Sequence, residues 1–328
     1  MAAEGDINFM RYIYRGEEGE RIPSEATHIT VAEDVTVIHE WASSDRRNIV
    51  EVICHVNVEK IEKWAFWACT SLRRLVMPGV KIVERRAFSE CRALTDVECD
   101  KLEIIGEFSF RGTSLRSINL PSARIVEEYA FAGCRSLVDV KFSKKLERFE
   151  MRVFGACRSL ERITIPLKDD IITNDRIFEG CQNLRHVNLL VEDAELHETI
   201  AALHREEWRN DLSEEIESIN QILSGAAAGG DEEGAGEMAQ VIRRWIRSVH
   251  GKIDHYKAEH QCMLDEATTL LELAIWKTNL DDTDESRFVR EGVRTTRGSV
   301  KRARRELCVT SGASIVIKNV LPFLQLKS

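Results

Sequence analysis

The most regular feature of the chain is a hydrophobic ladder with a period of 21 to 24 residues. Phe66, Phe88, Phe110, Phe131, Phe154 and Phe178 follow one another at intervals of 22, 22, 21, 23 and 24. Leu72, Leu94, Leu115, Leu137, Leu160 and Leu184 run in parallel with them. After each leucine, apolar and polar residues alternate, as in Leu115-Arg-Ser-Ile118-Asn-Leu120 and Leu160-Glu-Arg-Ile163-Thr-Ile165. Alternation of period two predicts a short strand with one face buried. The Ala-Phe pair is placed on the opposite limb of a coil, beneath that strand. One such unit cannot bury its own apolar face, whereas stacked copies form a continuous core. Six units stacked about 4.8 Å apart make a rod of roughly 30 Å.

Written out, the unit is I-x-x-x-A-F-x-x-C-x-S-L-x-x-I-x-I, as in Ile61–Met77 (IEKWAFWACTSLRRLVM) and Val126–Phe142 (VEEYAFAGCRSLVDVKF). Two units depart from it. Around Phe110 the stretch FRGTSL is one residue short and lacks the cysteine, and the last unit, DIITNDRIFEGCQNL, carries an insertion. Residues 35–54 form a degenerate copy that keeps Ile38, Ala42, Ile49, Val52 and Cys54 in register but has no phenylalanine. Upstream, YIYRGEEGERIP and THITV predict short strands around a Gly-rich turn. The reading is therefore an N-terminal cap over residues 1–37 and repeats over 38–190, one degenerate and six full.

Beyond about Ala194 the period changes. Leu196, Ile200, Leu203, Trp208, Leu212, Ile216, Ile219 and Leu223 recur at steps of three to five, predicting an amphipathic helix of about 45 Å. Residues 224–236, rich in Gly and Ala, predict a flexible connector. A second helix follows through Met238, Val241, Trp245, Val249, Ile253, Tyr256, His260, Met263, Ala267, Leu270 and Ala274, a coiled-coil-like seam. The expected fold is thus α+β: a repeat solenoid of short parallel strands, then a helical hairpin in residues 191–328. The pattern leaves open whether the seam closes within one chain or in a homo-oligomer. Ala313–Leu326 is a further short apolar segment.

Nine cysteines raise the question of metal or disulfide chemistry. Cys69, Cys91, Cys134, Cys157 and Cys181 each follow a ladder phenylalanine by three residues. Zinc sites use pairs with two to four residues between them, not pairs a whole repeat apart, so these cysteines read as small apolar core fillers. His250, His255 and His260 are spaced by five, which splays them around a helix, and no metal role is expected. No phosphate-loop, nucleophile-elbow or zinc-protease motif occurs, so no catalytic site and no cofactor are expected. No run of about 18 apolar residues and no secretory signal are seen, and a cytoplasmic location is expected.

The A-F-x-x-C-x-S-L-x-x-[IV] unit resembles the BspA-like, or Treponema-type, leucine-rich repeat family over about residues 28–190. With the phrases TIAALHREEWRNDLSEEIESINQIL, ATTLLELAIWK and IVIKNVLPFL, the chain is similar to the large sets of such proteins encoded in diatom genomes. The resemblance implies a solenoid used in adhesion or protein interaction, with no catalytic motif to transfer.

The outward strand positions are where a protein partner is expected. Arg74, Asp96, Glu98, Asn119, Asp139, Lys141, Arg162 and His186 are the candidate residues. Their mixed signs suit matched charges and hydrogen bonds on a protein, and they offer neither a basic track nor a base-stacking ladder. The net charge of −9 also disfavours a nucleic-acid or anionic-membrane partner. One alternative is nucleic-acid or anionic-lipid binding through residues 287–305. There Arg287, Arg290, Arg294, Arg297, Lys301 and Arg304 step by three and four into a basic stripe on any helix. A second alternative is an adaptor that presents substrate to an enzyme. The main expectation is a non-enzymatic protein-interaction scaffold.

Overall fold

A computed structural model describes residues 10–190, 206–226 and 234–288. The repeats form a parallel solenoid. Its strand face comprises β1 (Arg11–Tyr14), β2 (His28–Val31), β4 (Glu51–Ile53), β6 (Arg74–Val76) and β8 (Asp96–Glu98) in one five-stranded sheet. It continues with β10 (Ser117–Leu120), β12 (Asp139–Phe142), β14 (Arg162–Pro166) and β15 (His186–Leu190) in a four-stranded sheet. The predicted strands upstream of the repeats continue this face, with β1 pairing β2 and β2 pairing β4, both parallel.

A second ladder was hidden in the leading isoleucine of each unit. The two-residue strands β3 (Val37–Ile38), β5 (Lys60–Ile61), β7 (Ile82–Val83), β9 (Ile104–Ile105), β11 (Ile125–Val126) and β13 (Arg148–Phe149) make a continuous six-stranded parallel sheet. Between the two sheets lies the core. Phe66, Phe88, Phe110, Phe131, Phe154 and Phe178 are buried and stack ring on ring, with centroids 5.3 to 5.8 Å apart. That spacing is the strand spacing plus a small offset, so each ring fills one turn.

The limb that carries the phenylalanines has an unusual backbone. The residues two before and two after each of the first five ladder phenylalanines adopt positive φ, as at Trp64 and Ala68 (both 56°) and at Arg86 (57°) and Glu90 (61°). These left-handed residues turn alternate N–H groups toward the following turn. Trp64, Phe66 and Ala68 thus donate to the carbonyls of Arg85, Ala87 and Ser89, whereas the strand ladder donates backward, Arg74 N–H to Val50 O. In three of the later units glycine fills the second slot, as Gly112, Gly133 and Gly180 (φ 72°, 72° and 77°), the residue with the least steric cost there.

The cysteines complete this limb. Cys91, Cys134, Cys157 and Cys181 each donate S–H to the phenylalanine carbonyl one turn earlier (Phe66, Phe110, Phe131 and Phe154) at 3.1 Å, and Cys69 donates to Ser43 O at 3.0 Å. All the described cysteines are free thiols, and only Cys262 is exposed. In the short unit Thr113 stands where the cysteine would be, donating its hydroxyl to Phe110 O at 3.0 Å. The same unit interrupts the strand face: β8 and β10 lie in separate sheets. Ser114 N–H reaches Leu94 O there instead of a ladder forming.

The helical part comprises α1 (Glu206–Ala226) and α2 (Gly234–Phe288), of 21 and 55 residues. They reach into the Gly/Ala-rich stretch 224–236 from both sides; positions 194–205 of the predicted first helix and Ala313–Leu326 lie outside the described residues. The chain divides into two compact units, Met1–Asp193 with Glu214–His250 and Ala194–Ser213 with Gly251–Ser328.

Within the first unit, Ile219, Leu223, Met238, Ile242, Trp245, Ile246 and Val249 are buried. Trp245 donates its indole N–H to Glu215 O at 2.7 Å. The insertion noted in the last repeat is what receives α2. Gln240 donates to Asp175, Arg243 to Ile172 O, and His250 pairs with Asp169 at 2.5 Å. Within the second unit Trp208 stacks on Tyr256 at 5.1 Å, and Lys252 and Tyr256 both donate to Asp211. The seam weakens beyond Ala267: Leu270, Leu273 and Ile275 are 45%, 55% and 53% exposed.

Candidate interaction surface

Parallel pairing in register arranges the outward strand residues in columns, because alternate side chains share a face. In the five-stranded sheet one column runs Arg11, His28, Glu51, Arg74, Asp96, and its neighbour runs Ile13, Thr30, Ile53, Val76, Glu98. In the four-stranded sheet the columns are Ser117, Asp139, Arg162, His186 and Asn119, Lys141, Thr164, Asn188. The eight candidate residues therefore fall on one face but in two groups, Arg74, Asp96 and Glu98 before the sheet interruption and the other five after it.

The first group is internally paired. Arg74 places Nη2 2.8 Å from Glu98, Nη1 3.0 Å from Glu51 and Nε 3.3 Å from Asp96. Hydrogen bonds donated to Glu98 and Glu51 hold the guanidinium in its charged form and push its pKa up. Three carboxylates around one guanidinium leave a residual charge of −2 by formal count. The second group is looser: Asp139 lies 3.9 Å from Lys141 and 4.0 Å from Arg162. Asn119 stands opposite Lys141, and His186 opposite Arg162.

The charge pattern did not single out the apolar column beside Arg74. Ile13 is 57% exposed and leads an in-register series with Thr30, Ile53 and Val76. The alternation Arg-Tyr-Ile-Tyr and His-Ile-Thr-Val was the available signal for extending the face through β1 and β2. A second unforeseen array lies on the phenylalanine limb, at the outward position two before each Phe. Trp41 stacks on Trp64 at 4.8 Å and Phe108 on Tyr129 at 4.7 Å, while Arg86 lies over Phe108 and Arg152 over Tyr129 at 5.0 and 5.9 Å. These rings stack on one another along the solenoid and so stabilise the turns.

Of the basic stripe, only the backbone at Arg287 belongs to the described residues, at the end of α2; Arg290, Arg294, Arg297, Lys301 and Arg304 lie outside them. Among the described residues no group of three or more His, Cys, Asp or Glu could hold a metal. No described helix is long and apolar enough to cross a membrane.

Stacked turns, each adding one strand to a parallel strand face, with a leucine and a phenylalanine in every full unit, define a leucine-rich-repeat solenoid. More narrowly, the chain belongs to the family of the BspA type leucine rich repeat region, whose model matches residues 23–125 and 103–199 with 6 copies. No curated protein matches the chain.

Among solved structures, a leucine-rich repeat protein from Bacteroides ovatus is similar at 24% identity, with a TM-score of 0.43 over 52% of this chain and 48% of that one. The Treponema pallidum leucine rich repeat protein is similar at 22% identity, with a TM-score of 0.36 over 49% and 68%. The pneumococcal vaccine antigen PcpA is similar at 14% identity, with a TM-score of 0.40 over 49% and 45%. The chain thus spans about half the length of the Bacteroides protein.

Proposed function

We propose that this protein is a non-enzymatic scaffold that holds a protein partner on its strand face. The observation that carries the reading is the outward, mostly aliphatic column of exposed Ile13 and Thr30 and half-buried Ile53 and Val76 beside the carboxylate-rich cluster Glu51, Arg74, Asp96 and Glu98. Repeat solenoids offer extended surfaces of this kind, built from one small contribution per turn. Aliphatic side chains supply desolvation at the centre of an interface, and a polar rim sets register and partner choice. The residual negative charge favours a partner surface that carries aliphatic side chains with lysine or arginine beside them. Asn119, Asp139, Lys141, Arg162 and His186 extend the polar part of the surface.

The test is affinity capture with the full chain, compared by mass spectrometry with the double variant Ile53→Glu, Val76→Glu. Both side chains point outward, so the circular dichroism of the variant should match that of the parent chain. A partner retained by the parent and lost, by tenfold or more, from the variant is expected. A set of partners identical in the two captures overturns the assignment to this face. Replacing Asp96, Asp139 and Arg162 together asks separately whether the rim charges contribute.

A further inference from the structure

The longest interval between ladder phenylalanines, 24 residues from Phe154 to Phe178, contains the segment that receives α2. Arg243 of α2 uses two of its three nitrogens there: Nε donates to Ile172 O at 2.9 Å, and Nη1 lies 2.9 Å from Asp175. Its third nitrogen, Nη2, is a buried donor with no hydrogen-bond partner. Arg243 also lines a cavity of about 410 Å³, together with Met151, Thr173, Asn174, Asp175 and Arg176.

The other lining groups sharpen the chemistry. The Thr173 hydroxyl is spent on Phe149 O at 2.7 Å. Asn174 accepts the Arg176 N–H through its side-chain oxygen at 2.8 Å, which leaves its amide NH2 as a donor. Asp175 Oδ2 accepts from Gln240 at 3.1 Å, while Oδ1, 2.9 Å from Arg243 Nη1, is buried without a hydrogen bond. Two guanidiniums against one carboxylate leave the cavity with a formal charge of +1. Arginine forks match the oxygens of carboxylates and phosphates, and charge-assisted bonds to them are the strong ones.

We infer that this cavity binds a small organic anion, its carboxylate or phosphate head taken by Arg176 and the Asn174 amide in the field of the Arg243 guanidinium. The cavity is larger than a bare oxyanion, and Met151 offers an apolar wall for the rest of the molecule. The site lies between the last repeat and α2, within the unit that contains both, and it does not depend on the strand-face reading.

Calorimetric titration of the full chain at low salt, with phenyl phosphate, benzoate and neutral benzyl alcohol, tests the site. At least one anion is expected to bind, and benzyl alcohol is not. A preference between the two anions names the head group, and either preference supports the site. Arg176 is exposed, so Arg176→Gln should keep the fold and weaken binding by tenfold or more. Asn174→Ala removes the amide donor and should also weaken it. Absence of binding by both anions at millimolar concentration overturns the site, as does an affinity unchanged in both variants.

Discussion

At the scale of the residue, the turns are shaped by backbone conformations that most side chains avoid. Among the described residues ten non-glycine ones hold positive φ, from Trp41 at 61° to Ala156 at 59°. A left-handed L-residue costs about 1–2 kcal/mol, while glycine costs about 0.5–1 kcal/mol more entropy on ordering. Ala156 occupies the slot that Gly133 and Gly180 hold in neighbouring units. Ala156→Gly should therefore stabilise the chain by about 0.5 kcal/mol in urea unfolding, and Gly133→Ala should destabilise it by about 1 kcal/mol.

Gly79 is required for a different reason: a Cβ there would stand 1.8 Å from Val56 O. Gly79→Ala should cost well above 2 kcal/mol, because the obstacle is backbone and cannot rotate away.

The thiols set a pH limit. Burial pushes Cys54, Cys69, Cys99 and Cys181 from an ordinary 9.0 up to about 12. The unfolded chain ionises these groups near 9.0 while the fold keeps them neutral. Their stabilisation is complete below that pH and falls away as pH rises toward 12. Each thiol contributes a slope of about 1.4 kcal/mol per pH unit in that window. Urea midpoints measured from pH 8 to 11 should fall steeply, and Cys54→Ala with Cys181→Ala should flatten the fall even though it lowers the plateau.

At the scale of the element, the helices show what periodicity can and cannot convey. Asp211 on α1 accepts from Lys252 and Tyr256 on α2. The bond from Tyr256, then that from Lys252, lowers the Asp211 carboxyl, and the same Tyr256 hydroxyl is raised to about 12. A double-mutant cycle with Asp211→Asn and Tyr256→Phe should give a coupling of about 0.5–1.5 kcal/mol. Because the site is only partly buried, the coupling should shrink in 0.5 M salt. Below the usual carboxylate range Asp211 protonates and that support is lost.

The apolar steps from Met238 to Ile253 were legible because burial against a neighbouring helix demands them every three or four residues. The polar latches Gln240, Arg243 and His250 were not, since their partners Asp175, Ile172 and Asp169 lie more than sixty residues away in sequence. The insertion in the last repeat was visible as a broken interval, but only its contacts with α2 show what it is for. The same limit applies to the strand face. Its alternation fixed which side chains point outward, but the closing of Arg74 onto three carboxylates depends on registers between turns that no single unit encodes.

At the scale of the molecule, three ladders tie neighbouring turns: the strand face, the six-stranded second sheet and the forward-donating limb. Only the first is interrupted, at the unit one residue short, between β8 and β10. The second sheet pairs β9 with β11 across the same step, and the phenylalanine stack passes it at 5.5 Å on both sides of Phe110. In a solenoid, stability is close to a sum of turn and interface terms, and the interface with fewest bonds is where the array opens.

Leu160→Ala, a buried change costing about 2–5 kcal/mol, should lower native-state hydrogen-exchange protection in β10, β12, β14 and β15 more than in β2, β4, β6 and β8. The step should fall between Glu98 and Ser117. A uniform loss of protection over the whole array would mean that the phenylalanine stack and the second sheet couple the halves tightly enough to cancel the missing ladder. In that case the single-residue deletion would be a change in the shape of the strand face, separating its aliphatic and mixed-charge halves, and not a weak joint.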